Sequence, residues 1–383
     1  MASSVERVRA VIAESGLSHG DFARAVGLDA PKLSKSLSGV RRFSSLDLAR
    51  IGDLTGHSVD WLLGGEDPPL AMAARAARGG VTAEATAMAY DLAGIRRGLA
   101  LQGFPQAWNP PAIPATLGDR DSRQGEELAR IALRHLDDQG LSCEGDLAEV
   151  IEAGFGADVT VADLSDDVDG LAVITPEANL IIVASTHVPY RQRFTMAHEL
   201  GHLLAGDNQE LHVDEDIFGA GSRTAGSERR ANAFAAGFLM PEEILRGAVG
   251  GQRLDERSFC LLVMRLRVSP AALAYRLDAL GLIDGMASVR YRALSAKQAA
   301  ALAGATGDLA KHAAEARTAR PPGLLLRDAF SAYSAGATTL RPYAHLLGEP
   351  NVERLRAELE ETDELPRRRT RPSIHDMRSH LGE

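Results

Sequence analysis

The sequence predicts a mostly helical α+β protein, with helical regions at both ends and one small β-rich stretch between them. Three observations carry this. Apolar residues recur at helical spacing over residues 5 to 63 and again from Gln298 onward. Two stretches, "ADVTVADL" and "GLAVITPEANLIIVAS", have the β-branched density of strands. Prolines at 105, 110, 111 and 114 cannot continue a helix and predict a stiff spacer after the first helical part. No fixed-period repeat is visible, which argues against a solenoid.

Composition bounds the function. Of 383 residues, 45% are hydrophobic and 25% charged, and no apolar run could span a bilayer, so no membrane partner is expected. The opening "MASSVERVRAVIAESG" carries Glu6, Arg7 and Arg9 and lacks the apolar segment of a secretory signal. Cys143 and Cys260 form no CxxC pair, which argues against a disulfide framework or thiolate zinc site and fits a cytoplasmic location. With a net charge of -10, any nucleic-acid binding must come from a local patch.

The first elements are short helices marked by Val8, Val11 and Ile12, then Phe22, Ala23 and Val26, then Leu33 and Leu37, then Leu48, Ile51 and Leu54. Gly16, Gly27, Gly39 and Gly56 separate them. Asp29 and Pro31 start the third helix, whose Leu33 and Leu37 would dock it and leave Lys32, Ser34, Lys35 and Ser36 outward. Between Ala30 and Leu46 the basic residues Lys32, Lys35, Arg41 and Arg42 meet no acid, a patch suited to DNA phosphates. That helix lacks the Arg, Asn or Gln that reads bases bidentately, so it predicts little sequence specificity. Residues 1–65 are thus expected to form one domain. A helix near 82–101 and the prolines would make a linker over 66–118.

Residues 119–285 should hold the next domain. Helical patterns near 124–138 and 146–154 precede the strands, and "GLAVITPEANLIIVAS" reads as a hairpin turning at Thr-Pro-Glu-Ala-Asn. "NLIIVAS" could offer an edge to an extended peptide or be a wholly internal strand. Helices follow near 192–205, 227–240 and, as a pair, 257–281. Residues 286–383 read as a further helical region with a charged tail containing Arg367, Arg368, Arg369 and Arg371.

The chemistry sits in "RQRFTMAHELGHLLAGD". His198 and His202, four residues apart on a helix, lie on one face and can converge on a Zn2+ ion. Met196, Leu200, Leu203 and Leu204 fall on the other side, so the histidines are expected to look out from an apolar stripe that packs inward. Glu199 lies beside their face, where a carboxylate can accept a proton from water held by the metal; this is the HExxH arrangement of zinc hydrolases. A third ligand is expected from "SERRANAFAAGFLMP", where Ser227 would cap a helix that Pro241 stops. Its Glu228 shares a face with Ala231, Asn232 and Ala235, and the small residues among them allow close helix approach; Glu228 alone also suits a helix-opening dipole partner. Asp207, Glu210, Asp214, Glu215 and Asp216 read as a solvated charge run. Tyr190, Arg193 and His212 are the candidates for stabilising a tetrahedral oxyanion.

The two stretches together resemble the ImmA/IrrE family of bacterial and phage zinc metallopeptidases, over roughly residues 122–285. The resemblance implies a zincin-like, gluzincin-type endopeptidase domain with His198, His202 and Glu228 as zinc ligands and Glu199 as general base. It also implies a protein substrate, a repressor whose cleavage derepresses genes. "LVMRLRVSPAALAYRLDALGLI" resembles the helix-turn-helix-like extension that closes the family's domain. Residues 5 to 65 resemble the Xre/Cro-type helix-turn-helix family, a five-helix domain that binds double-stranded DNA, usually as a homodimer. The reading is therefore a DNA-binding regulator that carries a zinc endopeptidase. Its rival is a transcriptional regulator or antitoxin-like repressor whose zinc domain senses a ligand or partner without proteolysis.

Overall fold

The computed structural model describes residues 4–15, 17–55, 62, 71–76, 83–114, 120–164, 168–207, 220–250 and 254–361. The chain divides into two units, Met1–Pro69 and Leu70–Glu383.

In the first unit the apolar sets form α1 (Ser4–Glu14), α2 (His19–Ala25), α3 (Ala30–Leu37) and α4 (Ser45–Thr55). Val8, Phe22, Leu33, Leu48, Ile51 and Leu62 meet in one core. Ser18 starts α2 by accepting a bond from the Asp21 amide at 3.2 Å. Gly27, at φ 65°, supplies the left-handed turn into α3. Any fifth helix falls outside the described residues. Of the predicted outward residues, Lys32, Ser34, Lys35 and Arg42 are exposed. Ser36 is not: it is fully buried and accepts a bond from Arg41 at 3.0 Å. Arg41 also pairs with Asp47 at 2.7 Å, so the acid just beyond the basic stretch partly neutralises it.

The second unit is built on a four-stranded sheet in the order β1-β3-β4-β2. Its strands are β1 (Ala71–Ala76), β2 (Asp158–Ala162), β3 (Val168–Ile174) and β4 (Asn179–Ala184). β3 and β4 form the expected antiparallel hairpin. Its turn is fixed by Thr175, whose amide donates to Ala178 O at 2.8 Å and whose hydroxyl accepts from the Ala178 amide at 2.9 Å. β4 pairs in parallel with β2, and β1 pairs antiparallel with the far side of β3. The edge role expected for β4 therefore fails, because strands flank it on both sides.

Alternate residues of the strands point to opposite faces of the sheet, and each face is covered by its own layer of helices. Leu171, Val173, Leu180 and Ile182 pack with α5 (Ala83–Leu101). Ala172, Ile181 and Val183 join the larger core, which also holds α6 (Asp121–Asp138), α7 (Leu147–Phe155), α8 (Pro189–Ala205) and α9 (Ala220–Leu239). Burial on both sides explains why the β4 sequence is a continuous apolar run. Beyond them come α10 (Glu242–Val249), α11 (Glu256–Leu266), α12 (Pro270–Ala279), α13 (Gly285–Arg292), α14 (Ala296–Ala303) and α15 (Thr306–Arg317). The last are α16 (Gly323–Ser334), α17 (Arg341–Leu346) and α18 (Val352–Glu361).

The segments read as a linker and as a separate C-terminal region are integral to this unit. Leu92 and Leu99 of α5 share a core with Leu325 and Ala329 of α16. The Pro-rich segment lies against the sheet, with Gln106 donating to Asp158 at 2.8 Å and the Asn109 amide donating to Phe155 O at 2.8 Å. Among the described residues no single helix is long and apolar enough to cross a membrane.

Candidate metal centre

α8 starts at Pro189 and ends at Gly206, which takes a left-handed cap at φ 63°. It is buried all round: His198 and Glu199 are 0% exposed and His202 1%. The histidines therefore do not look out to solvent. Their face is roofed by α9, which crosses α8 closely because Gly201 lies under Phe234; a Cβ on Gly201 would come 2.9 Å from that ring. α9 begins at Ala220, seven residues before the expected cap at Ser227, so Glu228 lies in the third turn and not at a helix opening.

The donor atoms converge. His198 Nε2 and His202 Nε2 are 3.1 Å apart. Glu228 Oε2 is 3.3 Å from the first and Oε1 is 3.4 Å from the second. Ligands about 2.0–2.2 Å from a tetrahedral zinc ion would stand roughly 3.3–3.6 Å from one another, so this His-His-Glu set has the spacing and chemistry of such a site. It is the cluster among the described residues able to hold a metal ion.

A fourth residue completes it. His202 Nδ1 lies 3.0 Å from Asp207 Oδ2, an arrangement that places the ring proton on Nδ1 and turns the Nε2 lone pair toward the other donors. Asp207 also pairs with Arg230 of α9, which reaches Gln124 of α6 at 3.3 Å. Reading Asp207 as a solvated charge was thus wrong; its side chain is 11% exposed. Glu210, Asp214, Glu215, Asp216 and His212 lie outside the described residues.

Electrostatics agree with a site built for positive charge. Burial lowers the His202 pKa, but Asp207, Glu228 and Glu199 outweigh it and hold the imidazole up at about 9. Burial raises that of Glu228, yet its contacts with both histidines keep it far below the ordinary carboxylate range.

Glu199 is outside the donor set and lies against β3. A Cβ on Gly170 would meet Thr195 Cγ2 at 2.4 Å and Glu199 Oε1 at 3.2 Å. Only glycine lets the strand approach so near, and a glycine inside a strand pattern is the one sequence signal that could have found it. β1 pairs at the same level, with Arg75 opposite Gly170.

Two oxyanion candidates are engaged elsewhere. Arg193 Nη1 donates to Gly145 O at 2.9 Å and Nη2 to Cys143 O. Tyr190 is buried with its hydroxyl 3.4 Å from Met264 Sδ, and burial pushes its pKa up to about 12. Their donors fix α8 to the α6–α7 loop and to α11, and neither belongs to the His198–His202–Glu228 cluster.

Residues 153–278, which span β2 to α12 and the whole centre, match the family model of the IrrE N-terminal-like domain. Two relatives are radiation response metalloproteases named IrrE. That of Deinococcus radiodurans is 35% identical over 103 residues, covering 27% of this chain and 31% of the relative. That of Deinococcus deserti is 30% identical over 142 residues, covering 33% of this chain and 50% of the relative. The chain thus spans 31% and 50% of the length of these two relatives. The segment similar to the IrrE N-terminal-like domain thus contains all three converging donors and the glutamate beside them.

Proposed function

We propose that the chain is a DNA-binding regulator carrying a zinc-dependent endopeptidase that hydrolyses a peptide bond in a regulatory protein, a repressor. The observation that carries the peptidase half is the convergence of His198, His202 and Glu228 with Glu199 beside them, inside a domain whose named relatives are metalloproteases. A bound zinc ion supplies Lewis acidity at the substrate carbonyl and makes water acidic near neutral pH. Asp207 keeps His202 in the tautomer that presents Nε2. Glu199, shielded from bulk solvent against β3, accepts the proton of the attacking water and delivers it to the leaving amine. Hydrolysis then adds water's OH to the carbonyl carbon and its second hydrogen to the nitrogen as the C–N bond breaks.

Glu199 is what separates this reading from a sensing domain, since a site that only holds metal needs no base. Purified protein should contain about one zinc per chain, and it should cut the repressor encoded beside its gene. Glu199→Gln should keep the metal and lose at least about a hundredfold in cleavage rate, the usual weight of a general base. A Glu199→Gln protein that cuts as fast as wild type would refute the base assignment; one that regulates its promoter as well as wild type would favour the sensing domain.

For the N-terminal unit we propose double-stranded DNA binding through α3, as a homodimer. Lys35 and Arg42 are exposed, with no ion pair among the described residues, whereas Lys32 pairs with Asp29 at 3.1 Å and Arg41 is held by Asp47. Lys35→Ala and Arg42→Ala should each reduce the salt dependence of binding by about one phosphate contact and leave proteolysis unchanged. Unaltered binding in both would remove α3 from the interface.

A further inference from the structure

A cavity of about 100 Å³ lies beside the N-terminal half of α8, and none of the three metal donors lines it. Tyr190 and Arg193 of α8, the start of α7, the end of α15 and Arg267 form its walls. Its volume is too small for a nucleotide and sufficient for one compact ionic group.

Two positive charges, Arg193 and Arg267, line this space without an ion pair among the described residues, and the carboxylates of Asp146 and Glu315 line it with them. Arg193 is 7% exposed. Its two terminal nitrogens bond the carbonyls of Gly145 and Cys143, which carry no net charge, and its Nε has no partner. Burial, with the charge of Arg267 adding to it, pushes the guanidinium down to about 10. Arg267 has no ion pair among the described residues. His312, across from Tyr190 at a ring separation of 6.3 Å, buries an Nδ1 that also has no partner.

The other charged groups are committed. Asp146 caps α7 by accepting from the Ala148 and Glu149 amides at 2.9 and 3.2 Å. Arg320 is neutralised by Glu152. Glu315 is exposed at the rim and lies 3.8 Å from Lys311.

The backbone supplies an independent sign. Arg267 caps α11 at φ 52° and is the one non-glycine among the described residues with positive φ. The left-handed caps after α7, α8, α10 and α14 are all glycine: Gly156, Gly206, Gly250 and Gly304. Glycine would adopt this conformation without steric cost, and the residue there instead adds a guanidinium to the cavity wall.

We propose that this cavity binds a small oxyanion, a phosphate or carboxylate group, at the wall formed by Arg193, Arg267 and His312. Charge-assisted bonds to the two guanidinium groups would offset the two neighbouring positive charges. The group would join α15 to α8 through the helix that also carries His198.

The test is calorimetric titration of the full-length protein, after metal removal by chelation, with inorganic phosphate and separately with malonate, at constant ionic strength set by chloride. Saturable binding of either is expected, the stronger one identifying the chemistry. Arg267→Gly, which keeps the left-handed backbone and so should fold, should weaken it about tenfold or more. His312→Phe should weaken it less. No saturable binding of either anion, binding no tighter than chloride, or equal affinity in Arg267→Gly would overturn the proposal. Because the metal is absent throughout, the result is independent of whether the neighbouring centre is a peptidase.

Discussion

Asp207 stands five residues beyond His202, just past a glycine cap, and from the sequence it is one acid among several in a polar stretch. Its importance comes from where Gly206 turns the chain: back along the end of α8, so that the carboxylate meets His202 Nδ1 at 3.0 Å. A carboxylate on the outer nitrogen of a liganding histidine fixes the ring and raises its basicity, and losing such a partner typically lowers metal affinity about 10–100-fold. Asp207→Ala should therefore bind zinc that much more weakly, measured by competition with a chromophoric chelator, while Asp207→Asn should fall between the two. Unchanged affinity would exclude Asp207 from the centre. The shared face of His198 and His202 was legible, because helical spacing fixes it; Glu228 was chosen from the small residues beside it and was expected at a helix opening, where it does not lie. The tautomer partner was not legible, since it depends on the path of a loop.

At the scale of elements, periodicity located the helices α1 to α9 and the α11–α12 pair, missed α10 and α13, left the C-terminal helices undivided, and misjudged the surroundings of α8. A period of 3.6 residues shows which sides of a helix differ; it does not show that another helix will cover the polar side as well. The small residues Gly201, Ala231 and Ala235 were the sign that α9 would press close. β1 gave no strand signal at all, because "AMAARA" has no β-branched residue and becomes a strand only through the free edge of β3. That edge matters. Pairing with a sheet at the level of Glu199 requires the side of β3 that β1 holds, whereas the outer side of β2 is bridged at Val161 by Arg320. Replacing residues 71–76 with a Gly/Ser segment of equal length should therefore lower KM for a protein substrate and leave kcat nearly unchanged. If KM does not move, the substrate is held away from this edge.

The whole second unit is tied together by contacts between residues far apart in the chain, which is why domain boundaries drawn from proline content and helical pattern separated parts that fold as one. Arg96 of α5 is 1% exposed and grips Asp158 of β2 through two bonds, at 2.6 and 2.8 Å, and Asp328 of α16 at 2.5 Å. The partners lie 62 and 232 positions away, and nothing local in the sequence marks them as a set. Arg320 adds a second tie, bonding Glu152 and bridging Val161 by backbone. Removing one member of a buried ion pair costs about 3–5 kcal/mol, because the remaining charges stay buried without compensation. Arg96→Ala should lose stability on that scale in urea unfolding. Truncation after residue 285 should do more: it deletes Asp328 and Arg320 together and uncovers the sheet face that packs on Leu325 and Ala329. The truncated chain should aggregate or unfold without a cooperative transition. If it instead melts at the wild-type temperature and binds added zinc as the full chain does, the C-terminal helices are a separate domain after all, and their ion pairs with β2 and α7 contribute little.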